Sequence, residues 1–320
     1  MKTLYVIGNG FDRAHGLPTA YWDFRSFLDK YHPDFLYQFE NLYNIRSIDE
    51  SDPRISKEAI EKYYTSINNV LWKEFEYKMG LPDISEMMNF SQCILQDMDL
   101  DGGNYGIKDT MDDYWNRQYG FVTQFQEYVL EWAEKIDTTH VSPKRKALVN
   151  SNDLFLSFNY TDVLENVYTI KNVLHVHGGI RSISETPPIM GHSNSSEIQQ
   201  QINLTTESEE VFDEGSASIH NAIANYLKSI YKDTSSIIPL YNSFWKNLAQ
   251  VNKVEIIGWS IGDADLPYLK CITQNISPQA KWVVYYYLPE NKNELICTMK
   301  NNGIDNGTNV FYKESCRFWD

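Results

Sequence analysis

Cysteine is scarce in this chain of 320 residues. Its four copies are Cys93, Cys271, Cys297 and Cys316, with no C-x-x-C pair among them. This scatter excludes a zinc knuckle that could be recognised from sequence, and it argues against a scaffold held together by disulfides.

Positive charge is also in short supply. The chain has 28 Lys and Arg against 43 Asp and Glu, which gives a formal net charge of −15 at pH 7. Proteins that bind nucleic acid or anionic membranes attract phosphates with basic side chains. We therefore expect neither bulk nucleic-acid binding nor membrane binding.

Long apolar runs are missing as well. The run after Lys2 covers Leu4–Ile7 and is broken at Gly8. It is too short for a signal peptide or a membrane span. We interpret it as a buried first strand, and we expect a soluble, cytoplasmic protein.

Hydrophobic residues are nevertheless abundant, at 42% of the chain. Short apolar runs between turn residues are typical of strands buried on both faces of a parallel sheet. Six such runs are Thr3–Ile7, Asp153–Phe158, Asn172–Val176, Val254–Ile257, Trp282–Leu288 and Asn309–Tyr312. Helical patterns follow at Thr161–Lys171 and Ala264–Gln274. This order predicts an α/β fold with a doubly wound, mostly parallel, Rossmann-like sheet, whose ligands lie beyond the carboxyl ends of the strands.

Two insertions interrupt this predicted core. Mostly helical patterns, such as Ile60–Met79 and Tyr114–Ile136, flank an acidic loop with several glycines at Asp97–Asp112. A smaller insertion covers about residues 193–250. The predicted domains are a Rossmann-like core, residues 1–30 and 151–320, and a helical insertion subdomain, residues 31–150.

The first candidate motif is GNGFD, Gly8–Asp12, directly after the first predicted strand. Its glycines allow a sharp turn close to a ligand, and the start of the next helix offers amide groups to a phosphate. Arg13 stands where the dinucleotide fingerprint requires a third glycine, which disfavours a dehydrogenase. An ordinary turn from strand to helix is the alternative.

The second motif is FNYTD, Phe158–Asp162, at the end of the second predicted strand. Asn159 carries both a donor and an acceptor, so it can orient a water molecule or a ribose hydroxyl. Taken alone, the motif favours the simpler role of a helix N-cap.

The third motif is HVHGG, His175–Gly179, on the third predicted strand. Alternation along a strand places His175 and His177 on one face, with His177 at the carboxyl end. A histidine in that place suits general-base catalysis, because its ordinary pKa is near neutrality. Two alternatives stay open, a hydrogen-bonded pair in the core and a metal site formed with His192.

The fourth motif is IGWSIGDAD, Ile257–Asp265, after the fourth predicted strand. Gly258 and Ser260 are placed to contact a phosphate or a ribose. Asp263 and Asp265 fit best as caps of the next helix. Each motif by itself is weak evidence. All four lie at the carboxyl ends of predicted strands, and that shared placement predicts one site.

In this order the motifs resemble the AbiH family of bacteriophage abortive-infection proteins. The segments that carry the resemblance are Gly8–Asp12, His15–Thr19, Phe158–Asp162, His175–Gly178 and Gly258–Ser260. They lie towards both ends of the chain, with the insertions between them.

The motifs are also similar to a divergent sirtuin-type NAD-binding domain. The matching segments are Gly8–Gly10, Gly16–Pro18, Asp23–Arg25, Asn159, His177–Gly178 and Gly258–Ser260. The acid of the sirtuin asparagine motif is displaced here to Asp162, and the four zinc cysteines of sirtuins are absent. Bacterial defence proteins with sirtuin-like domains tend to hydrolyse NAD rather than remove acyl groups.

The resemblance therefore implies an anti-phage NAD glycohydrolase that releases nicotinamide and uses no metal. It implies two catalytic residues, with Asn159 positioning water or ribose hydroxyls and His177 accepting a proton. The residues implied to contact NAD are Gly8, Asn9, Gly10, Phe11, Asp12, Gly16, Asp162, Gly258, Ser260 and Asp263.

The main alternative is a sensor or interaction module that binds NAD or ADP-ribose without turnover. In that case the aromatic-rich insertion, residues 31–150, would be the surface for a homo-oligomer or a defence partner. A metal-dependent hydrolase that uses His175, His177 and His192 is a third possibility.

Overall fold

The computed structural model describes residues 2–98, 107–144, 152–180, 183–304 and 309–320. The strands in these ranges are β1 (Thr3–Ile7), β2 (Leu154–Ser157), β3 (Val173–His175), β4 (Lys253–Ile257), β5 (Lys281–Tyr286) and β6 (Val310–Glu314). The helices are α1 (Asn9–Ala14), α2 (Tyr21–Tyr31), α3 (Pro33–Asn41), α4 (Lys57–Val70), α5 (Phe75–Met79), α6 (Ile84–Met98), α7 (Ile107–Tyr119), α8 (Phe125–Glu134), α9 (Val163–Asn166), α10 (Ser195–Glu210), α11 (Glu214–Ser229), α12 (Thr234–Ile237), α13 (Asn242–Asn247), α14 (Leu266–Asn275), α15 (Pro289–Asn301) and α16 (Cys316–Trp319).

The strands form one parallel sheet in the order β3-β2-β1-β4-β5-β6. This is the order of a doubly wound, Rossmann-like sheet, so the predicted α/β fold class is confirmed. All six predicted strands are present, and their observed ends differ from the predicted ones by at most two residues. The order reverses between β1 and β4, which are neighbours in space although they are far apart in sequence.

The central strand β1 is buried on both of its faces. Leu4 and Val6 belong to one apolar cluster, and Tyr5 and Ile7 belong to the cluster on the opposite side. A strand covered on both faces needs an apolar side chain at every position, because none of them meets water. This is why the strand appears in the sequence as an uninterrupted apolar run.

Residue contacts divide the chain into two compact units. The first unit consists of Met1–Ala20, Val129–Ile189 and Asp233–Asp320, and it contains the sheet. The second unit consists of Tyr21–Tyr128 and Met190–Lys232, and its regular secondary structure is helical in the ranges that are described.

The helical unit contains a buried ion pair between Arg25 and Glu40. Arg25 Nε donates to Glu40 Oε1 at 2.8 Å, and Arg25 Nη2 donates to Glu40 Oε2 at 3.1 Å. Trp72 Nε1 donates to the same carboxylate at 2.7 Å. The arginine of the sirtuin-like segment Asp23–Arg25 is therefore engaged within the helical unit.

Several predicted helices are shorter than expected or are interrupted. The helix predicted at Thr161–Lys171 is only the four residues of α9, because the chain reverses at Thr169, whose φ is 59°. The pattern at Ile60–Met79 divides into α4 and α5 around a 3₁₀ turn at Trp72–Glu74. The pattern at Tyr114–Ile136 is interrupted after Tyr119, where Gly120 begins a 3₁₀ turn, and glycine is a weak helix former.

The acidic loop predicted at Asp97–Asp112 is partly wrong. Helix α6 continues to Met98 and helix α7 begins at Ile107, so both ends of the predicted loop are helical. Residues 99–106, which include the predicted loop glycines, lie outside the described ranges. Among the helices of those ranges, none is long and apolar enough to span a bilayer.

The carboxyl ends of β1 and β4 are joined by close backbone contact. Gly8 N donates to Ile257 O at 3.0 Å, and Gly10 N donates to Gly258 O at 2.9 Å. Gly258 has a φ of 70°, and a Cβ on it would lie only 2.4 Å from Phe11 N. A side chain there would push the two loops apart at the point where the strand order reverses.

We predict that Gly258→Ala destabilises the protein, because the added Cβ meets backbone and the left-handed φ disfavours alanine. The free energy of unfolding should fall by about 2–4 kcal/mol. Gly262→Ala is a matched control in the same loop, since a Cβ there meets no atom within 4 Å. Chemical denaturation of both variants tests this, and equal stabilities would contradict the role of the contact.

Candidate functional site

Asn159 follows strand β2, and its side chain is held in one orientation. Its Nδ2 donates to Asp12 Oδ1 at 2.8 Å and to the carbonyl oxygen of Gly8 at 3.2 Å. Both partners are acceptors, so the amide nitrogen must face them and the amide oxygen must face away. The predicted role of Asn159 as a helix N-cap is wrong, because Asp162 occupies the N-cap position of α9.

In this arrangement the amide oxygen of Asn159 is buried without a hydrogen-bond partner among the described residues. The whole residue is 7% exposed. Buried polar atoms nearly always have a partner in folded proteins. This oriented acceptor therefore marks a place where a ligand hydroxyl or a water molecule would complete the site.

Asp12 fixes the orientation of the Asn159 amide by accepting its hydrogen bond. It lies on α1, is 2% exposed, and accepts from Thr161 Oγ1 at 2.5 Å with its second oxygen. Burial raises the pKa of Asp12 from 3.8 to about 6, although the hydrogen bonds from Thr161 and Asn159 oppose that rise. At neutral pH the carboxyl is mostly ionised, and it acts as an acceptor for both donors.

The two histidines of the third motif have different surroundings. His175 is the last residue of β3, and its ring lies between Asn159 O, 2.8 Å from Nδ1, and Glu165 Oε1, 2.9 Å from Nε2. The strand ends there, and His177 lies in the following turn. The predicted placement of both rings on one strand face is wrong because strand alternation stops at His175.

His177 is paired with a carboxylate that follows β4. Its Nε2 lies 3.2 Å from Asp265 Oδ1, within ion-pair distance although not aligned as a hydrogen bond. Trp259 Nε1 donates to the other oxygen of Asp265 at 2.9 Å. Asp265 occupies the N-cap position of α14, as predicted, but its side chain forms no cap hydrogen bond and contacts Trp259 and His177 instead. The Nδ1 atom of His177 has no hydrogen-bond partner in the described ranges.

Aromatic rings surround His177 and connect it to the Asn159 loop. Phe158 stacks on Trp259, with centroids 4.3 Å apart, and meets the His177 ring edge-on at 5.0 Å. Tyr268 lies 5.4 Å from the same ring. His177 therefore packs against the residue that directly precedes Asn159, within the sheet-containing unit.

Several polar groups of the glycine loop after β1 already form hydrogen bonds within the protein. The amides of Gly8 and Gly10 donate to the β4 loop, and Phe11 N donates to Gly8 O at 2.9 Å. The Asn9 side chain donates to Thr19 O at 2.7 Å and accepts from Thr19 Oγ1 at 2.5 Å. A phosphate on these amides, as implied by the family resemblance, would have to replace existing hydrogen bonds.

Four further residues implied to contact NAD form no hydrogen bond with Asn159 or His177 in the described ranges. They are Gly16, Asp162, Ser260 and Asp263. Asp162 accepts from Thr138 Oγ1 and Asn166 Nδ2, each at 2.6 Å. Those that are exposed are Gly16, Ser260 and Asp263. In the ranges covered by the structure, none of the three forms a hydrogen bond or ion pair with Asn159 or His177.

The histidines proposed as an alternative metal site have other partners. His192 Nε2 lies 2.9 Å from Leu227 O, its Nδ1 accepts from Asn194 N at 3.0 Å, and burial lowers its pKa. His175 and His177 contact Glu165 and Asp265, as described above. No group of three His, Cys, Asp or Glu that could hold a metal ion occurs in the described part of the chain.

Three contacts around the predicted site residues could not be identified from the sequence. Asp265 pairs with His177, Glu165 pairs with His175, and Thr161 binds Asp12. No signal in the sequence indicated the second role of Asp265, because this residue also occupies the N-cap position that the motif predicts for an acid.

Comparison with known proteins places the chain within one family. A family model described as bacteriophage abortive infection AbiH matches residues 4–286. The match includes all four motifs and both insertions. Searches of the curated proteins and of the solved structures found no significant match.

We predict that Asp12 makes stability fall as the pH rises from about 4 to 6. The unfolded carboxyl ionises near its ordinary pKa of 3.8, and the folded carboxyl ionises near 6. The unfolded state therefore loses this proton first, which lowers the free energy of unfolding by about 3 kcal/mol across that interval. Asp12→Asn has no such proton, so the stability of wild type relative to this variant should fall with pH.

Denaturation at a series of pH values measures this difference. Thr161→Val is the informative companion, because it keeps the carboxyl and removes a hydrogen bond that lowers the pKa of Asp12. In that variant the fall in stability should extend to higher pH. A wild-type and Asp12→Asn pair whose stability difference is constant with pH would refute the prediction.

Proposed function

The chain belongs to the AbiH family of bacteriophage abortive-infection proteins, which implies a role in phage abortive infection, and we propose that it acts there by hydrolysing NAD and releasing nicotinamide. The observation that carries the proposal is the buried, oriented and unpartnered Oδ1 of Asn159. The His177 ring, paired with Asp265, packs against Phe158, the residue that precedes Asn159. Asn159 and His177 stand where the motifs resemble the catalytic residues of sirtuin-type domains.

The position of these residues in the sheet supports a nucleotide substrate. In doubly wound sheets, ligands bind outside the carboxyl ends of the strands, next to the point where the strand order reverses. Here that point lies between β1 and β4, and the side chains that follow β2, β3 and β4 converge near it.

The charge of the site supports cleavage of a glycosidic bond. Three carboxyl groups surround the side chains of the site. Asp12 accepts from Asn159, Glu165 contacts His175, and Asp265 lies beside His177. When the bond to nicotinamide breaks, the leaving group departs neutral and positive charge develops on the ribose. Carboxylates nearby favour that charge, and they disfavour a phosphate at the same position. No general acid is required, because the leaving group of NAD is already cationic.

The two predicted catalytic residues have complementary tasks in this reaction. Asn159 Oδ1 accepts a hydrogen bond from the attacking water or from a ribose hydroxyl, and Asp12 holds it in place. His177 accepts the proton of the water at Nδ1, and Asp265 lies beside its Nε2. General-base assistance of this kind contributes about 10²–10⁴-fold to a rate.

A second function is favoured by one observation. Because His177 is only 3% exposed, a bound nucleotide would have little access to its ring, which fits binding without turnover. In that case the protein would sense NAD or ADP-ribose in a defence system, and the helical unit would contact a homo-oligomer or a defence partner.

We predict that purified protein releases nicotinamide from NAD, and that His177→Ala and Asn159→Ala each lower the rate by about 10²–10⁴-fold. Asp265→Asn should lower the rate as well and shift its pH profile, because it removes the charge beside the imidazole. His140→Ala is the matched control: its side chain is 91% exposed, and it should keep the full rate. Nicotinamide is measured by chromatography, and circular dichroism checks the fold of each variant.

The outcomes separate the two functions. Wild-type rates in His177→Ala or Asn159→Ala would refute the assignment of catalytic residues. Binding of NAD or ADP-ribose by calorimetry without nicotinamide release would support the sensor. Failure to bind either nucleotide would contradict both functions.

A further inference from the structure

The turn between α10 and α11 presents two large apolar side chains to solvent. Val211 is 72% exposed and Phe212 is 91% exposed. Scattered exposed apolar residues are ordinary on protein surfaces, so exposure alone decides nothing. The backbone of this turn adds a second observation.

Phe212 occupies a backbone position that suits glycine. Phe212 N donates to Glu209 O at 3.1 Å and Asp213 N donates to Ser208 O at 2.9 Å, which is the Schellman closure of a helix. In this closure Phe212 has a φ of 60°, a conformation that is unfavourable for a residue with a side chain. Neither packing nor backbone preference therefore explains a phenylalanine here.

The same turn is densely acidic. We define the acidic tip as residues 207–214, ESEEVFDE, whose five acids are Glu207, Glu209, Glu210, Asp213 and Glu214. One of them, Glu209, pairs with Lys108 Nζ at 2.5 Å. The apolar pair is thus surrounded by negative charge, which fits a surface with an apolar centre and a basic rim.

The chain itself contains such a surface beside the edge strand β6. We define the lysine groove as an open groove of about 410 Å³ lined by Lys292, Ile296, Val310, Phe311, Tyr312 and Lys313. Its lining includes two lysines and no acid, although acids outnumber bases by 15 in the chain. A third cation is close, since Lys281 Nζ lies 4.5 Å from the centre of the Phe311 ring.

We propose that the acidic tip of one copy of the chain docks into the lysine groove of a second copy. Phe212 and Val211 would enter the apolar centre of the groove, and the carboxylates around them would meet Lys292 and Lys313. An apolar centre with a charged rim is the usual anatomy of a protein interface. Because the two surfaces differ, the contact is heterologous, and its repetition builds a closed ring or an open filament.

The first test is the mass of the purified full chain in solution, measured by sedimentation from low to high micromolar concentration. The mass should rise with concentration and fall at high salt, because the rims are charged. Phe212→Gly should weaken association by about tenfold or more, as expected for a central apolar contact. Its unfolding midpoint should be unchanged or higher, since glycine suits the backbone at this position.

Leu240→Ser is the matched control, because Leu240 is also highly exposed but lies outside the acidic tip. It should associate like wild type. A wild-type chain that stays monomeric at every concentration would overturn the proposal. So would a folded Phe212→Gly variant that associates as strongly as wild type.

A charge exchange tests the pairing of these two surfaces directly. The tip variant carries Glu207→Lys and Glu210→Lys, and the groove variant carries Lys292→Glu and Lys313→Glu. Each variant alone should associate far less than wild type, because the tip has lost most of its net negative charge in the first and the groove has become acidic in the second. An equimolar mixture should form heterodimers, since the unchanged tip of the groove variant meets the unchanged groove of the tip variant. A mixture of folded variants that stays monomeric would refute this pairing.

Discussion

Backbone contact between the loops that follow β1 and β4 is the constraint on which the site depends. Gly8, Gly10 and Gly258 lack side chains, and for that reason the two loops can exchange hydrogen bonds where the strand order reverses. Helix α1 begins directly at this contact, and its first turn carries Asp12 to a position beneath Asn159. The orientation of the proposed catalytic amide thus follows from the absence of side chains elsewhere.

Buried carboxyl groups give the site its orientation, and their burial is unfavourable. Asp12 is enclosed among groups that donate to it, and its raised pKa reports the free energy of removing a carboxylate from water. Asp265 is likewise held by the indole of Trp259 beside His177. This arrangement lowers the stability of the fold and holds the Asn159 amide and the His177 imidazole in fixed orientations. Buried, perturbed ionisable groups of this kind cluster at functional sites.

The fold and the chemistry differ in how far they could be predicted. All six strands were found because strands buried on both faces appear as continuous apolar runs, and that signal is local. Asn159 and His177 were singled out because their motifs lie at the ends of such strands and resemble the catalytic segments of sirtuin-type domains. Their neighbours could not be identified in this way. His175 and His177 were expected on one face, but the strand ends at His175, and a change of one residue in strand length redirects the second ring.

The sequence by itself therefore determined the α/β class and the strands, since each depends on the order of residues along a short segment, and it supplied Asn159 and His177 as the residues to test. Only the tertiary structure decided what those side chains touch. The bond between Asp12 and Asn159 joins residues 147 positions apart, and the ion pair of His177 with Asp265 joins segments that follow different strands. Which loops meet depends on the order of strands in the sheet, and that order results from packing of the whole chain rather than from any one segment.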